Sequence, residues 1–265
     1  LLSEGIRRIE VETLKKYRTI VSGATFLGLA VASCDPNNTL IVERGNVLGS
    51  DYYTSLRIDR LGNYQMKEAA TKKLYQSIIK NKHMYYEDLL IISEIMPVIG
   101  NFVKEMNINI LLDCTVMEKV QKSHGLAVEA FCRDQVMTFE SDYFIDTTAD
   151  NLKLPHEMSC CSLVRSKGSD PVVCRDGSRY DLGNGVYCLE IPVKTASMKD
   201  NRRQVLAHFE KPMKSEDELL MIAETPCIRG KYEAERTGNI IYACSSLTQN
   251  VFEAMDKGIE LWRDL

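Results

Sequence analysis

Residues 17–45, YRTIVSGATFLGLAVASCDPNNTLIVERG, constrain the fold more than any other stretch of the chain. RTIVS and TLIVE are short runs of apolar and β-branched residues, the composition of strands buried on both faces of a parallel sheet. Between them LGLAVAS is small and apolar, which suits a helix lying close on that sheet. Pro36, in DPNN, bars the helix from continuing. Strand, helix and strand within about thirty residues make a βαβ unit.

The turn inside this unit is where chemistry is expected. In a dinucleotide-binding turn the first glycine makes the bend, the second lets backbone approach a pyrophosphate, and the third lets helix and strand pack closely. The helix N-terminus then offers N–H groups and a positive dipole end to the phosphates. Gly23 and Gly28 hold the first and third positions, and Thr25 holds the second, where its branched side chain is expected to crowd a pyrophosphate. Glu43 ends the second strand about twenty residues on, where an acid accepts from ribose hydroxyls. The alternative at this point is a βαβ unit that carries no nucleotide.

A chain of 265 residues can bury a full core as one large or two modest domains. Its formal net charge of −4 argues against nucleic acid or an anionic membrane as partner. The apolar run 26–34 is too short to span a bilayer. Residues 1–18 alternate charges with single apolar residues, unlike an export signal. Nine cysteines occur without a repeated CxxC, so no metal site is expected. Free thiols in a reducing cytoplasm are the expectation, with Cys160 and Cys161 as two independent thiols, one inward and one outward.

The pattern predicts helices over about 64–80 and 86–106, the second kinked or split at Pro97. It then predicts strands in NINILLD, TVMEKVQK, LAVEAFCR, VMTFES and YFIDTTAD. Short strand-like pieces (CSLV, PVVC, GVYCLEI) and helices near 202–211 and 216–222 follow. NIIYACSS and NVFEAMDKGIELWRDL then return to strand and amphipathic helix. The expected architecture is α/β. A Rossmann-like domain with a parallel sheet (1–150) is completed by 236–265, and a smaller α+β substrate or cap domain spans 151–235.

These pieces, in order, resemble the FAD-dependent oxidoreductases of the two-dinucleotide-binding-domain type. IVSGATFLGLA is similar to that family's pyrophosphate turn, and IVERGNVLGS to its ribose acid followed by a flavin-side loop. MNINILLDCTVMEKV resembles the strand pair whose valine, here Val116, meets adenine through its backbone. SDYFIDTTADNLKLP and GNIIYACSSLTQNVFEAMDKGIELW resemble the strand returning to the cofactor and the closing strand and helix. The resemblance implies FAD, held by Gly23, Thr25, Gly28, Glu43, Arg44, Gly49, Ser50, Val116, Thr148, Asp150, Cys244 and Ser245.

Departures from the family pattern cluster on the cofactor side. Thr25, Ser50 and Ala149 each stand where the family has glycine, and Cys244–Ser245 where it has Gly-Asp. A grip on the diphosphate looser than the family norm is expected, with Thr25→Gly and Ser245→Asp restoring it. Arg229 resembles a family arginine near the substrate and could hold a carboxylate; a surface ion pair is its other reading. His156, just after the returning strand, is the best placed general base of the four histidines. Tyr52 and Tyr53 are candidates to pack on a ring.

The leading expectation is a flavoprotein that passes a hydride from a small organic substrate to FAD. A flavoprotein-like subunit that has lost FAD, serving as scaffold or regulator for a partner subunit or a second copy of the chain, is the alternative. A nicotinamide-dependent dehydrogenase explains the first βαβ unit but not the closing strand and helix.

Overall fold

The computed structural model describes residues 15–62, 64–166, 177–210 and 217–265. The strand-like PVVC at 171–174 and the side chain of His208 lie outside the described residues.

Strand β1 (Lys15–Ser22) leads into helix α1 (Phe26–Cys34) and strand β2 (Thr39–Val42). Then come α2 (Ser50–Tyr53), β3 (Asp59–Arg60), α3 (Ala69–Ile79), β4 (Tyr85–Tyr86), β5 (Leu89–Leu90) and α4 (Ile92–Glu105). Strands β6 (Asn109–Leu111), β7 (Cys114–Gln121), β8 (Leu126–Cys132) and β9 (Gln135–Asp146) follow. Next are β10 (His156–Arg165), β11 (Ser178–Asp181), β12 (Val186–Val193), α5 (Met198–Glu210), β13 (Glu218–Ile222) and β14 (Cys227–Gly230). The chain closes with β15 (Glu235–Thr237), β16 (Ile240–Tyr242) and α6 (Val251–Arg263).

The first sheet runs β15-β16-β9-β1-β2-β6, and β1 pairs in parallel with both β2 and β9. Because β1 is covered on both faces, its core reads as a continuous apolar run. Helices α1, α3, α4 and α6 pack on one face through Val21, Ile41, Ile145 and Ile241. The ribbon of β7, β8 and the first half of β9 covers the other face, against Ile20, Leu40 and Phe144. Helix α1 is buried along almost its whole length because α6 lies against its outer side. NIIYACSS enters this sheet through β16, which pairs in parallel with β9. A second sheet, β11-β12-β10-β13 with β14 also on β10, is built from residues 156–230. The fold is therefore α/β, with a parallel-centred sheet, as the sequence leads one to expect.

Several elements differ from the sequence pattern for physical reasons. Helix α3 starts at Ala69, and residues 85–90 form a small antiparallel hairpin, not the head of the next helix. Helix α4 runs through Pro97, since Ile92, Ile95, Val98, Ile99 and Phe102 bury one common face. Packing of that face outweighs the single hydrogen bond that proline removes. Residues 218–222 are strand and not helix, because β10 offers them a partner at Ser162↔Ile222. VMTFES and YFID are one long strand, β9.

Cysteine placement also corrects the expectation. Cys114 and Cys132 are direct partners across β7 and β8 and form a disulfide, with Cα atoms 4.2 Å apart. Sequence offers no motif for this pair; only the strand register brings it together. The other described cysteines, Cys34, Cys160, Cys161, Cys188, Cys227 and Cys244, are free. Cys160 and Cys161 do point to opposite faces of β10, but both are buried, since α5 covers one face. In denatured, unreduced protein, Cys114 and Cys132 are expected to stay unreactive towards a thiol reagent until a reductant is added. Full reaction without reductant would refute the bridge.

Candidate functional site

Strands β1, β2 and β9 end side by side at Ser22, Val42 and Asp146, and these three residues rim a cleft of about 740 Å³. Sheets of this kind bind ligands outside the carboxyl ends of their strands, where neighbouring connections leave in opposite directions. The chain departs from β1 towards β2 on one side and reaches β9 on the other, so the cleft lies at such a point. Its volume is in the range of small-molecule sites, about 300–1,000 Å³.

The turn after β1 is built as a close crossing. Gly23 has φ +99°, a left-handed conformation that favours glycine. A Cβ on Gly28 would collide with the Gly23 carbonyl, so the third glycine of the pattern performs its packing role. Thr25 does not stand out into the cleft as bulk. It is the N-cap of α1, its hydroxyl accepting from the Gly28 N–H at 3.0 Å and donating to Thr147 at 2.8 Å.

Glu43 is buried at the end of β2. Its Oε2 accepts from the Ala24 N–H at 2.7 Å and the Ser50 hydroxyl at 2.9 Å, and its Oε1 from the Gly45 N–H at 2.7 Å. A carboxylate has about four lone-pair positions, so three donors leave one, on Oε1.

Of the residues singled out in the sequence, Gly23, Thr25, Glu43, Arg44, Ser50 and Val116 line the cleft, and so do Thr148 and Asp150. Arg44 is paired with Asp150 at 3.2 Å. Gly28, Gly49, Cys244 and Ser245 lie behind the wall: Gly49 donates its N–H to the Ala24 carbonyl, and the Ser245 hydroxyl faces the Leu27 N–H at 3.4 Å. His156 is exposed at the start of β10, with Nδ1 at 2.7 Å from the Leu154 carbonyl, away from the cleft. Arg229 also lies off the cleft. Its guanidinium donates twice to Glu190, at 3.1 Å each, and Glu190 is held below the usual carboxylate range by Arg229 and Ser159 despite its burial.

Two residues not singled out, Asp51 and Arg57, matter as much, together with Tyr52, which was. Asp51 lines the cleft floor with both carboxylate oxygens buried and without a hydrogen-bond partner. Burial pushes its carboxyl up to about 7, against the pull of Ser245, Arg57 and the Phe26 N–H. Arg57 is almost fully buried and donates to Asp59 and to the carbonyls of Ile228, Ser246, Thr248 and Gln249. Burial works against its charge, but Tyr52 and Asp59 more than offset this and raise its pKa. Tyr52 packs edge-on against Phe26, 5.4 Å between ring centres, and carries the Arg57 guanidinium on its face at 4.4 Å. Cys161, Glu190 and Cys227 bring three ligating atoms within 4.8 Å of one another, but Glu190 is already engaged by Arg229 and Ser159.

No family model matches the sequence, and neither does any curated protein. Solved structures do match. The p-nitrophenol 4-monooxygenase PnpA from Pseudomonas putida superposes with a TM-score of 0.60 at 13% identity, over 94% of this chain and 78% of its own. A geranylgeranyl bacteriochlorophyll reductase-like protein from Thermoplasma acidophilum reaches 0.63 at 9% identity, over 94% and 78%. CabE, an aromatic hydroxylase from angucycline biosynthesis, reaches 0.60 at 13%, over 94% and 62%. The chain shares their fold. It spans less than two thirds of the length of CabE. Among the described residues no helix is long and apolar enough to cross a membrane.

FAD, implied by the family resemblance, can be weighed against these residues part by part. The free position on Glu43 Oε1 can accept from a ribose hydroxyl, and Val116 lines the same cleft. The diphosphate station does not suit a diphosphate while Asp51 is ionised. Its N–H groups on Ala24 and Gly28 are spent on Glu43 and Thr25, and a carboxylate, Asp51, faces the helix N-terminus.

Proposed function

We propose that this chain is a flavoprotein of the FAD-dependent oxidoreductase type, with the dinucleotide in the cleft at the ends of β1, β2 and β9. The single observation behind this reading is that cleft, of about 740 Å³, opening at the Gly23–Gly28 turn with Glu43 on its rim. Two of the structural neighbours are named as a hydroxylase and a monooxygenase and the third as reductase-like, which favours redox chemistry. FAD, when bound, supplies hydride chemistry, and the protein's part is to bind, orient and exclude water. Residues 1–150 with 236–265 would form the dinucleotide unit, and 151–235 the cap over a small organic substrate. Ala196, Met198, Thr225, Pro226 and Ile228 on that side of the cleft are the residues such a substrate would meet.

The misfit at the diphosphate station favours a second reading, a flavoprotein-like scaffold or regulatory subunit that no longer takes FAD. A partner subunit or a second copy of the chain would then be its ligand. The visible spectrum of the purified chain, before and after incubation with FAD at pH 6 and gel filtration, separates the two. Near-stoichiometric flavin absorbance is the expected result. No retained flavin at pH 6 would overturn the oxidoreductase reading in favour of the scaffold.

A further inference from the structure

The N-terminus of α1 is the feature a dinucleotide fold uses to hold phosphate. Here two of its N–H groups have partners from within the chain: Thr25 takes the Gly28 N–H, and Ser245 faces the Leu27 N–H. The Phe26 N–H acts on Asp51 without completing a hydrogen bond to it. Asp51 is held in place from behind. Gly49 is tied to the Ala24 carbonyl at 2.6 Å in a left-handed conformation against the Phe26 ring, and the Tyr52 hydroxyl is bound to Thr248 at 3.1 Å. The cation acting on it, Arg57, is committed to Asp59 and four carbonyls and does not complete a hydrogen bond to Asp51.

We propose that Asp51 is a built-in occupant of the phosphate station: ionised, it excludes the diphosphate of a dinucleotide, and neutral, it admits it, while the nucleoside end of the cleft is open in both states. This rests on the dinucleotide reading of the cleft. The physical cause is direct. A buried carboxylate and an incoming diphosphate repel in a medium that screens poorly, and both are drawn to the positive end of the same helix. A charged hydrogen bond gained or lost at such a place changes affinity by roughly ten- to a hundredfold.

The switch falls near neutrality because burial raises the Asp51 carboxyl to about 7. The charged and titratable groups around it are Arg57 and Tyr52 on the segment that follows, and Cys244 on the closing segment; Glu43 is bound by Ser50, the residue before it in the chain. Arg57 stays charged, while Tyr52 and Cys244 are raised by burial, Cys244 to about 11, so these three keep their states between pH 6 and 8.

Calorimetric titration of the full chain with adenosine and with ADP-ribose, at pH 6 and pH 8, tests this. The diphosphate diester of ADP-ribose does not itself titrate in that range. Wild type is expected to bind ADP-ribose about five- to tenfold more weakly at pH 8 than at pH 6, the most that one proton titrating near 7 can give when the two forms differ ten- to a hundredfold. Adenosine should bind equally at both. Asp51→Asn should bind ADP-ribose tightly at both pH values, and if that variant does not fold, the wild-type contrast decides alone. Adenosine binding with an ADP-ribose affinity independent of both pH and Asp51→Asn would overturn the proposal and leave the dinucleotide reading standing. No binding of either probe, in any form at either pH, would overturn both.

Discussion

Arg57→Ala is expected to lower the unfolding free energy by about 3–5 kcal/mol, the cost typical of breaking a buried ion pair from one side. The guanidinium reaches Ser246 at 2.6 Å, Thr248 at 2.7 Å and Gln249 at 2.8 Å, and so ties the closing segment to the chain near β3. Removing it strands those carbonyls and leaves Asp59, 4% exposed, with the Val251 N–H as its remaining donor in the structure. Arg57→Lys should recover only part of the loss, because an ammonium has three donors on one atom and cannot span this fork. Arg44→Ala is the control. Its ion pair with Asp150 is more than half exposed on both sides and should be worth less than about 1 kcal/mol. Urea denaturation midpoints read all three. An Arg57→Ala midpoint no lower than that of Arg44→Ala would sink the assignment of Arg57 as the fold's main buried polar tie.

Asp51→Asn is expected to stabilise the protein at pH 8, by an amount that shrinks on acidification. In the folded chain Asp51 holds its proton up to about pH 7, whereas a free aspartate loses it near pH 4. Between those values the folded state binds more protons than the unfolded one, so this group's contribution to stability falls as pH rises from about 4 to 7 and is flat beyond. At about 1.4 kcal/mol per unit, the full span is on the order of 4 kcal/mol. Asparagine carries no such proton, so the difference between the two proteins isolates Asp51 from the other carboxylates. Unfolding free energies of both, from pH 4 to 8, should diverge progressively in favour of the variant. A difference constant across that window would show that Asp51 is not held neutral by burial.

Much of this fold could be read directly from residues 17–45 and 239–263. The β-branched runs of β1 and β2, the small residues of α1 and the amphipathic face of α6 are local signals, and local signals survive folding. Asp51 and Arg57 carry none. In sequence they sit in a polar stretch resembling a loop, and their burial arises only when residues 244–250, nearly two hundred positions later, fold over them. Thr25 shows the reverse problem. Its deviation from glycine is visible, but its work as a helix cap depends on the Gly28 N–H and on Thr147. The family pattern therefore points to Thr25→Gly and Ser245→Asp as repairs, while in the structure the first removes a cap and the second sets another carboxylate beside Asp51.

The parallel pairing of β16 with β9 fixes how late in synthesis this sheet can be completed. Until residues 240–242 have emerged, the edge of β9 is open, and until α6 follows, the outer side of α1 stays bare. An unpaired strand edge beside an uncovered apolar helix is the kind of surface that recruits other chains. Synthesis thus passes through a long interval in which nearly all of the first sheet exists but cannot close. Any pause or cleavage before residues 240–263 have emerged leaves a sticky, unfinished body, the kind of surface that chaperones hold.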